Sequence, residues 1–249
     1  MPTLQLLGRV VPSTIQADIT DLPSLNWKSD RSDLSGTFSY NCKSSNIHLI
    51  ANLDRHPTYE EQAFVISVLL DGIQTLIDMI AFRENIYATV IIEKMIDIDG
   101  TESTLIFRLN EFMSLKSMRP ERFGDMVNIL FNDLPAAIAL HDVITSLYRR
   151  HLSVTLCARA VEAIRNNIAS GIKREKQWPI MRAALKLDET YVNYITDASK
   201  APRHGDHAFI PGDIAREVQS RTFIIMDRFL EYKLRGSTPL PEDEFQTLR

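Results

Sequence analysis

One stretch of the chain gathers side chains able to move protons and hold anions. Residues 197–213 read DASKAPRHGDHAFIPGD and place Arg203, His204, Asp206 and His207 close together. Histidine exchanges protons near neutral pH, and a neighbouring arginine can steady the charge that builds on a phosphate in transfer, so this set could cleave RNA without a metal. His204, Asp206 and His207 could instead ligate a cation, but no distant partner set completes such a site, and no metal is expected. A nucleophilic triad would need a serine on a strained turn, and Ser199 does not stand on one. The plain alternative pairs Arg203 with Asp197 or Glu217, lets Asp206 cap a turn and leaves both histidines in solvent.

Pro202 and Gly205 both break helix, which predicts a loop held between two packed helices. The segments on either side carry apolar residues at helical spacing. Ser153–Ala169 has Val154, Cys157, Val161, Ile164 and Ile168 on one seam, with Gly171 as its stop. Glu162 lies off that seam, within reach of Arg159 and Arg165 at i±3. Trp178, Met181 and Leu185 mark a second helix, and Asp188 caps a third that turns Val192, Ile195 and Ala198 inward. Pro211–Arg235 is a long last helix lined by Ile214, Val218, Ile225, Phe229 and Tyr232, with Gly236 ending it. Upstream, Phe123, Met126, Val127 and Leu130 form a short helix, and Pro135 opens another that is expected to bury Ile138, Leu140, Ile144 and Leu147.

Charge is uneven along the chain. Residues 1–148 hold 11 Lys and Arg against 19 Asp and Glu, a balance of −8, and residues 149–249 hold 17 against 13, a balance of +4. The window 149–182 has eight basic residues against Glu162 and Glu175. Such a face can track phosphates, and Arg159, Arg165, Lys173 and Arg174 are its candidate phosphate contacts. It can equally be a solvated surface or a dock for acidic protein.

The pieces RAVEAIRNNI, WPIMRAAL and YVNYITDASKAPRHGD, followed by a long final helix, resemble the HEPN-type helical domains of prokaryotic defence and toxin proteins, the ApeA-like branch in particular. The similarity covers residues 130–235. It implies a four- or five-helix bundle, homodimerisation and, in active members, a metal-independent ribonuclease built on R-x(4–6)-H near the start of the last helix. From Arg203 the histidines available are His204 and His207, which gives R-H or R-x3-H instead. Arg165-Asn166 resembles the RN opening of that motif, with no histidine in reach behind it. On this likeness the catalytic candidates are Arg203, placing phosphate, with His204 or His207 exchanging protons. The partners expected are RNA or a nucleotide and a second copy of the chain. The other function class is a non-enzymatic interaction module, met through a bundle face or a sheet edge.

The N-terminal half reads differently. Thr37–Asn41 and Ile47–Leu53 alternate apolar and polar residues, with Lys43-Ser-Ser-Asn as the turn between them; Leu4–Val11 and Thr14–Ile19 are further short strands. His48 falls on the polar face. Thr58 and Glu61 make a capping box ahead of a helix whose apolar side is Val65, Val68, Leu69, Ile73, Leu76 and Ile80. Ile86–Ile98 and Thr101–Leu109 form a hairpin about a two-residue Asp99-Gly100 turn, with Asp97 and Asp99 as turn formers. The fold class expected is therefore α+β: an N-terminal antiparallel sheet with one packed helix in residues 1–115, then a C-terminal α-helical bundle in 120–236, then a flexible tail, 237–249.

Several functions lack their signature. There is no Gly-rich phosphate loop, nucleophile elbow or HExxH, and no cofactor is expected. The most apolar stretch, Ala63–Phe82, is interrupted by Asp71, Gln74 and Asp78, and the N-terminal MPTLQLLGRVV lacks the pattern of a secretory leader. Cys42 and Cys157 stand alone, as free thiols in a reducing compartment would. A cytoplasmic protein with no membrane partner is the expectation.

Overall fold

The computed structural model describes residues 1–20, 22–104, 120–149, 152–205 and 210–249. The fold is α+β, with an antiparallel sheet in the N-terminal half and helices in the C-terminal half. The chain divides into two compact units, Met1–Ile106 and Phe107–Arg249, each with its own apolar core. The boundary expected at residue 115 falls in 105–119, outside the described residues.

In the first unit, strands β1 (Thr3–Val11), β2 (Leu25–Lys28), β3 (Ser35–Lys43), β4 (Asn46–Leu53), β5 (Thr89–Ile96) and β6 (Glu102–Thr104) form one antiparallel sheet. Their order is β2-β3-β4-β1-β5-β6. Alternation sets the faces: Phe38, Tyr40 and Cys42 on β3, and Ile47, Leu49, Ala51 and Leu53 on β4, are all buried. His48 lies on the other face, where its Nε2 meets Gln5 Oε1 at 2.8 Å. Between β3 and β4, Ser44 and Ser45 take φ of 48° and 64°, the left-handed geometry that a two-residue hairpin loop demands.

Thr14–Ile19, expected as a strand, is irregular apart from a bridge between Ile19 and Cys42. Its polar groups are spent on that serine turn: Ala17 N–H donates to Ser45 Oγ at 2.9 Å, and Ser45 N–H donates to Ala17 O at 2.9 Å. The β5–β6 connection also differs. Asp97 N–H donates to Thr101 O (2.9 Å) and Gly100 N–H to Asp97 O (2.8 Å), with Gly100 at φ 83°. This is a three-residue loop closed by a left-handed glycine, so the turn starts one residue earlier than a two-residue Asp99-Gly100 loop. Of the return strand expected over Thr101–Leu109, Glu102–Thr104 is β6, and residues from 105 lie outside the described residues.

Helix α1 (Tyr59–Glu84) carries the capping box: Glu61 N–H donates to Thr58 Oγ1, and Thr58 N–H donates to Glu61 Oε2 at 2.8 Å. Arg55 holds Glu61 from the other side, and these bonds depress its carboxyl to about 2. The buried face is Val65, Ile66, Leu69, Ile73, Gln74, Ile77 and Ala81. It is rotated from the expected one, leaving Val68, Leu76 and Ile80 partly buried. Gln74 explains the rotation: its Oε1 accepts from Val90 N–H and Thr89 Oγ1 at 3.0 Å each, tying α1 to β5. Among the described residues α1 is also the one single helix long and apolar enough to cross a membrane, and here its apolar side serves as half of the sheet's core.

The second unit begins with a 3-10 turn (Pro120–Arg122). Among the described residues seven helices follow: α2 (Phe123–Asn132), α3 (Leu134–Tyr148), α4 (Ser153–Ile168), α5 (Arg174–Leu185), α6 (Glu189–Ala198), α7 (Lys200–Arg203) and α8 (Gly212–Leu234). Helices α4 and α8 form the centre, with Val161, Ile164, Ile225 and Phe229 fully buried. Helix α3 lies along α4 by its small residues Ala136, Ala139 and Val143. The larger Ile138 and Ile144, expected inside, stand 44% and 51% exposed. Small residues permit close approach of two helices, so the small face wins the contact.

The tail 237–249 is packed, where a flexible one was expected. Leu240 and Phe245 are buried, and Leu248 forms a parallel bridge with Leu187. Two of its acids are answered: Glu242 by Lys186 at 3.4 Å and Glu244 by Arg235 at 2.6 Å.

Candidate functional site

The geometry of the candidate site follows from four helices of the second unit. Helix α4 turns Val154, Cys157, Val161 and Ile164 into the core, which leaves Glu162 and the last-turn Arg165 on its flank. Helix α5 presents Arg174, Trp178 and Arg182 at i, i+4, i+8, one face of a helix. Helix α6, capped by Asp188 accepting from Thr190 N–H at 2.8 Å, presents Glu189, Asn193 and Thr196. Lys200 and Arg203 of the one-turn α7 complete the rim of a cleft of about 410 Å³. Residues 200–203, expected as loop, form that turn, and Gly205 at φ 78° ends it.

Of the expected set, the structure brings Arg165, Arg174 and Arg203 together in the cleft and leaves Arg159, Lys173 and His204 outside its lining. Arg203 makes two bonds to Glu162, Nη1 to Oε1 at 3.0 Å and Nη2 to Oε2 at 3.2 Å. Asp197 and Glu217, its expected partners, bind Lys200 (2.7 Å) and Arg221 (2.6 Å). Arg159 is drawn away to the buried Asp142 at 3.2 Å. The Asp142 carboxyl is pushed up by burial, against the charges of Arg159 and His141. Glu162 therefore serves Arg203, not the Arg159 and Arg165 pairs that spacing suggested. Lys173 stands exposed at the N-cap of α5, outside the cleft. His204 is exposed, and among the described residues its ring has no hydrogen-bond partner. Asp206 and His207 lie outside the described residues. Ser199 is buried and donates to Thr196 O at 2.8 Å. Among the described residues no group of three His, Cys, Asp or Glu is placed to hold a metal ion.

Arg165 has the most unusual environment. It is 4% exposed, its guanidinium lies 4.5 Å over the Trp178 ring, and its Nε and Nη2 donate to Asn166 Oδ1 at 3.2 and 2.8 Å. Its Nη1 is buried and donates to nothing. Burial pushes this guanidinium below its ordinary value; Glu162 opposes, while the charges of Arg174 and Arg203 push the same way. Arginine nonetheless keeps its proton at neutral pH. A buried charge without a carboxylate within ion-pair distance is costly, and an unmade buried N–H bond alone costs about 1–3 kcal/mol. The signals for Arg182 and Trp178 were present in the i, i+4, i+8 spacing from Arg174. Lys200 and the competing role of Glu162 depend on tertiary contacts and had no local signal.

Compared with known families, residues 123–234 match the C-terminal domain of a family described as a domain of unknown function (DUF8168). The match runs from the first residue of α2 to the last of α8 and covers a little under half of the chain. No curated protein and no solved structure matched the chain.

Proposed function

We propose that the helical unit binds RNA or a nucleotide through phosphate, in the cleft between α4, α5, α6 and α7. The observation that carries this reading is the convergence of Arg165, Arg174 and Arg203 on one concave surface. Arginine suits the role because its planar fork matches two phosphate oxygens at once. The likeness of RAVEAIRNNI and YVNYITDASKAPRHGD to HEPN-type domains supports the same ligand class. As a metal-free ribonuclease the unit would set Arg203 on the phosphate and His204 or His207 at the proton transfers. Arg203 is already engaged by Glu162, and that favours binding over cleavage. Cys42 and Cys157, both buried and free, fit the cytoplasm.

The test uses the purified protein with fluorescent single-stranded RNA in EDTA, read both by anisotropy and on a gel. Binding without cleavage, weakened by Arg174→Ala and Arg203→Ala, supports the binding role. Cleavage lost in Arg203→Ala and His207→Ala would establish the ribonuclease. No binding by the parent would refute both.

A second reading rests on a separate observation. Helices α2 and α3 expose Phe123 (65%), Phe131 (86%), Leu134 (68%) and Ile138, an apolar surface of the kind that meets a protein partner, a second copy included. If the chain pairs with itself there, Phe131→Glu should convert a dimer to a monomer in light scattering, with the melting temperature of the monomer unchanged. An unaltered mass would remove this surface from the pairing.

A further inference from the structure

We infer that the cleft holds a phosphomonoester, a doubly charged terminal phosphate, with Glu162 as a built-in competitor for Arg203. The inference rests on the phosphate-binding reading above and narrows it.

Charge decides the ligand class. The cleft is lined by Arg165, Arg174, Arg182, Lys200 and Arg203 against Glu162, Glu175 and Glu189, five positive groups against three negative, a surplus of two. Arg182 is paired with Glu189 at 3.1 Å and Arg203 with Glu162 at 3.0 Å. The groups in the cleft that face no carboxylate at ion-pair distance, among the described residues, are Arg165 and Arg174. The surplus of two in the lining matches a dianion. A phosphodiester within a strand carries one charge and would leave the cleft positive. A volume of about 410 Å³ is at the small end of ligand sites, enough for a mononucleotide or the end of an RNA strand and small for a duplex.

Arg165 supplies the independent sign of a ligand. An arginine 96% removed from solvent, its guanidinium 4.5 Å over the Trp178 ring and its Nη1 unbonded among the described residues, is an arrangement that an incoming oxyanion completes. Glu162 sets the threshold. Its carboxylate occupies both Nη atoms of Arg203, and a phosphate must displace it to gain that third guanidinium. Neutralising Glu162 should therefore strengthen binding, whereas loss of a purely architectural ion pair would not.

The experiment is calorimetric titration of the full chain with inorganic phosphate and AMP, and anisotropy with matched RNAs bearing a 5′-phosphate or a 5′-hydroxyl. The result expected is binding of AMP and preference for the phosphorylated RNA by tenfold or more. Arg165→Gln and Arg174→Ala should each weaken AMP at least tenfold, and Glu162→Gln should tighten it severalfold. Circular dichroism melts report whether Arg165→Gln folds; Arg174, exposed, and Glu162, half-buried, keep the test open if it does not. Equal affinity for both RNA ends would overturn the inference and leave the broader RNA reading standing. AMP binding with no RNA binding would support it and restrict the ligand to free nucleotides. Weaker AMP binding by Glu162→Gln would overturn the competitor role, and no binding of any probe would overturn both readings.

Discussion

Asp133 holds three elements with one carboxylate. As the N-cap of α3 it accepts from Ala136 N–H at 3.1 Å, and it also accepts from Asn167 on α4 at 2.8 Å and from Lys233 on α8 at 2.6 Å. Burial pushes its carboxyl up, but the bonds from Lys233, Asn167 and Ala136 outweigh that and hold it below the ordinary value. A depressed carboxyl contributes stability that is present above the unfolded value, about 3.9, and is lost as pH falls through the folded one. Asp133→Ala should cost about 2 kcal/mol at pH 7, from the lost cap and the stranded Lys233. The cost should shrink below about pH 4, where the carboxyl of the unfolded chain takes up its proton, and go on shrinking until pH passes the lower folded value. Urea unfolding of both proteins at pH 7 and pH 3 reads the difference, and an equal cost at both would contradict the assignment. From Pro135 only the start of α3 was legible, not the capping role of Asp133. Its ties to α4 and α8 were not legible either, since Asn167 and Lys233 lie 34 and 100 residues away with no local pattern joining them.

At the scale of elements, legibility followed what each residue type has to do. Strands β3 and β4 could be read because one face is buried, so polarity alternates strictly from Phe38 to Cys42 and from Ile47 to Leu53. Helix α3 misled because apolar size was taken for burial, while close packing on α4 selects Ala136, Ala139 and Val143. The tail misled because its Pro and acid content resembles a frayed end, while its fate is decided by one buried arginine. Arg228, 7% exposed, donates from Nη1 to Leu185 O (2.9 Å) and Lys186 O (2.6 Å), and from Nη2 to Gln246 O (2.8 Å). It joins the end of α5 to the tail through backbone acceptors that any sequence would offer, so no residue pattern announces it. Arg228→Met keeps the bulk and removes the donors, which strips the guanidinium bond from Leu185 O, Lys186 O and Gln246 O, although Lys186 O keeps Leu248 N–H. It should destabilise by about 2–4 kcal/mol and release the tail. Hydrogen exchange at Leu240 and Leu248, whose N–H groups donate to Ala184 O and Lys186 O, should then rise by more than at the core of α4. Unchanged protection at those two amides would show that Leu240 and Phe245 hold the tail without Arg228.

For the whole molecule the informative quantity is how little of the basic surplus is free. The chain carries −4 overall, so nonspecific attraction to RNA at long range is weak, and binding must come from local contacts. The window 149–182 offers eight basic residues on paper, but Arg159 is bound to Asp142 and Arg182 to Glu189, and Arg165 is buried. A strand lying along all eight would give a log–log dependence of affinity on salt with a slope of about −5.6, from roughly −0.7 per phosphate neutralised. Binding confined to the cleft, with two or three guanidiniums engaged, predicts a slope of about −1.5 to −2. Arg174→Ala should flatten that slope by about 0.7, while Lys173→Ala, outside the cleft, should leave it unchanged. Anisotropy titrations across a range of potassium chloride separate the two cases. A slope near −5.6 that Lys173→Ala also flattens would place the RNA on the open basic face and not in the cleft.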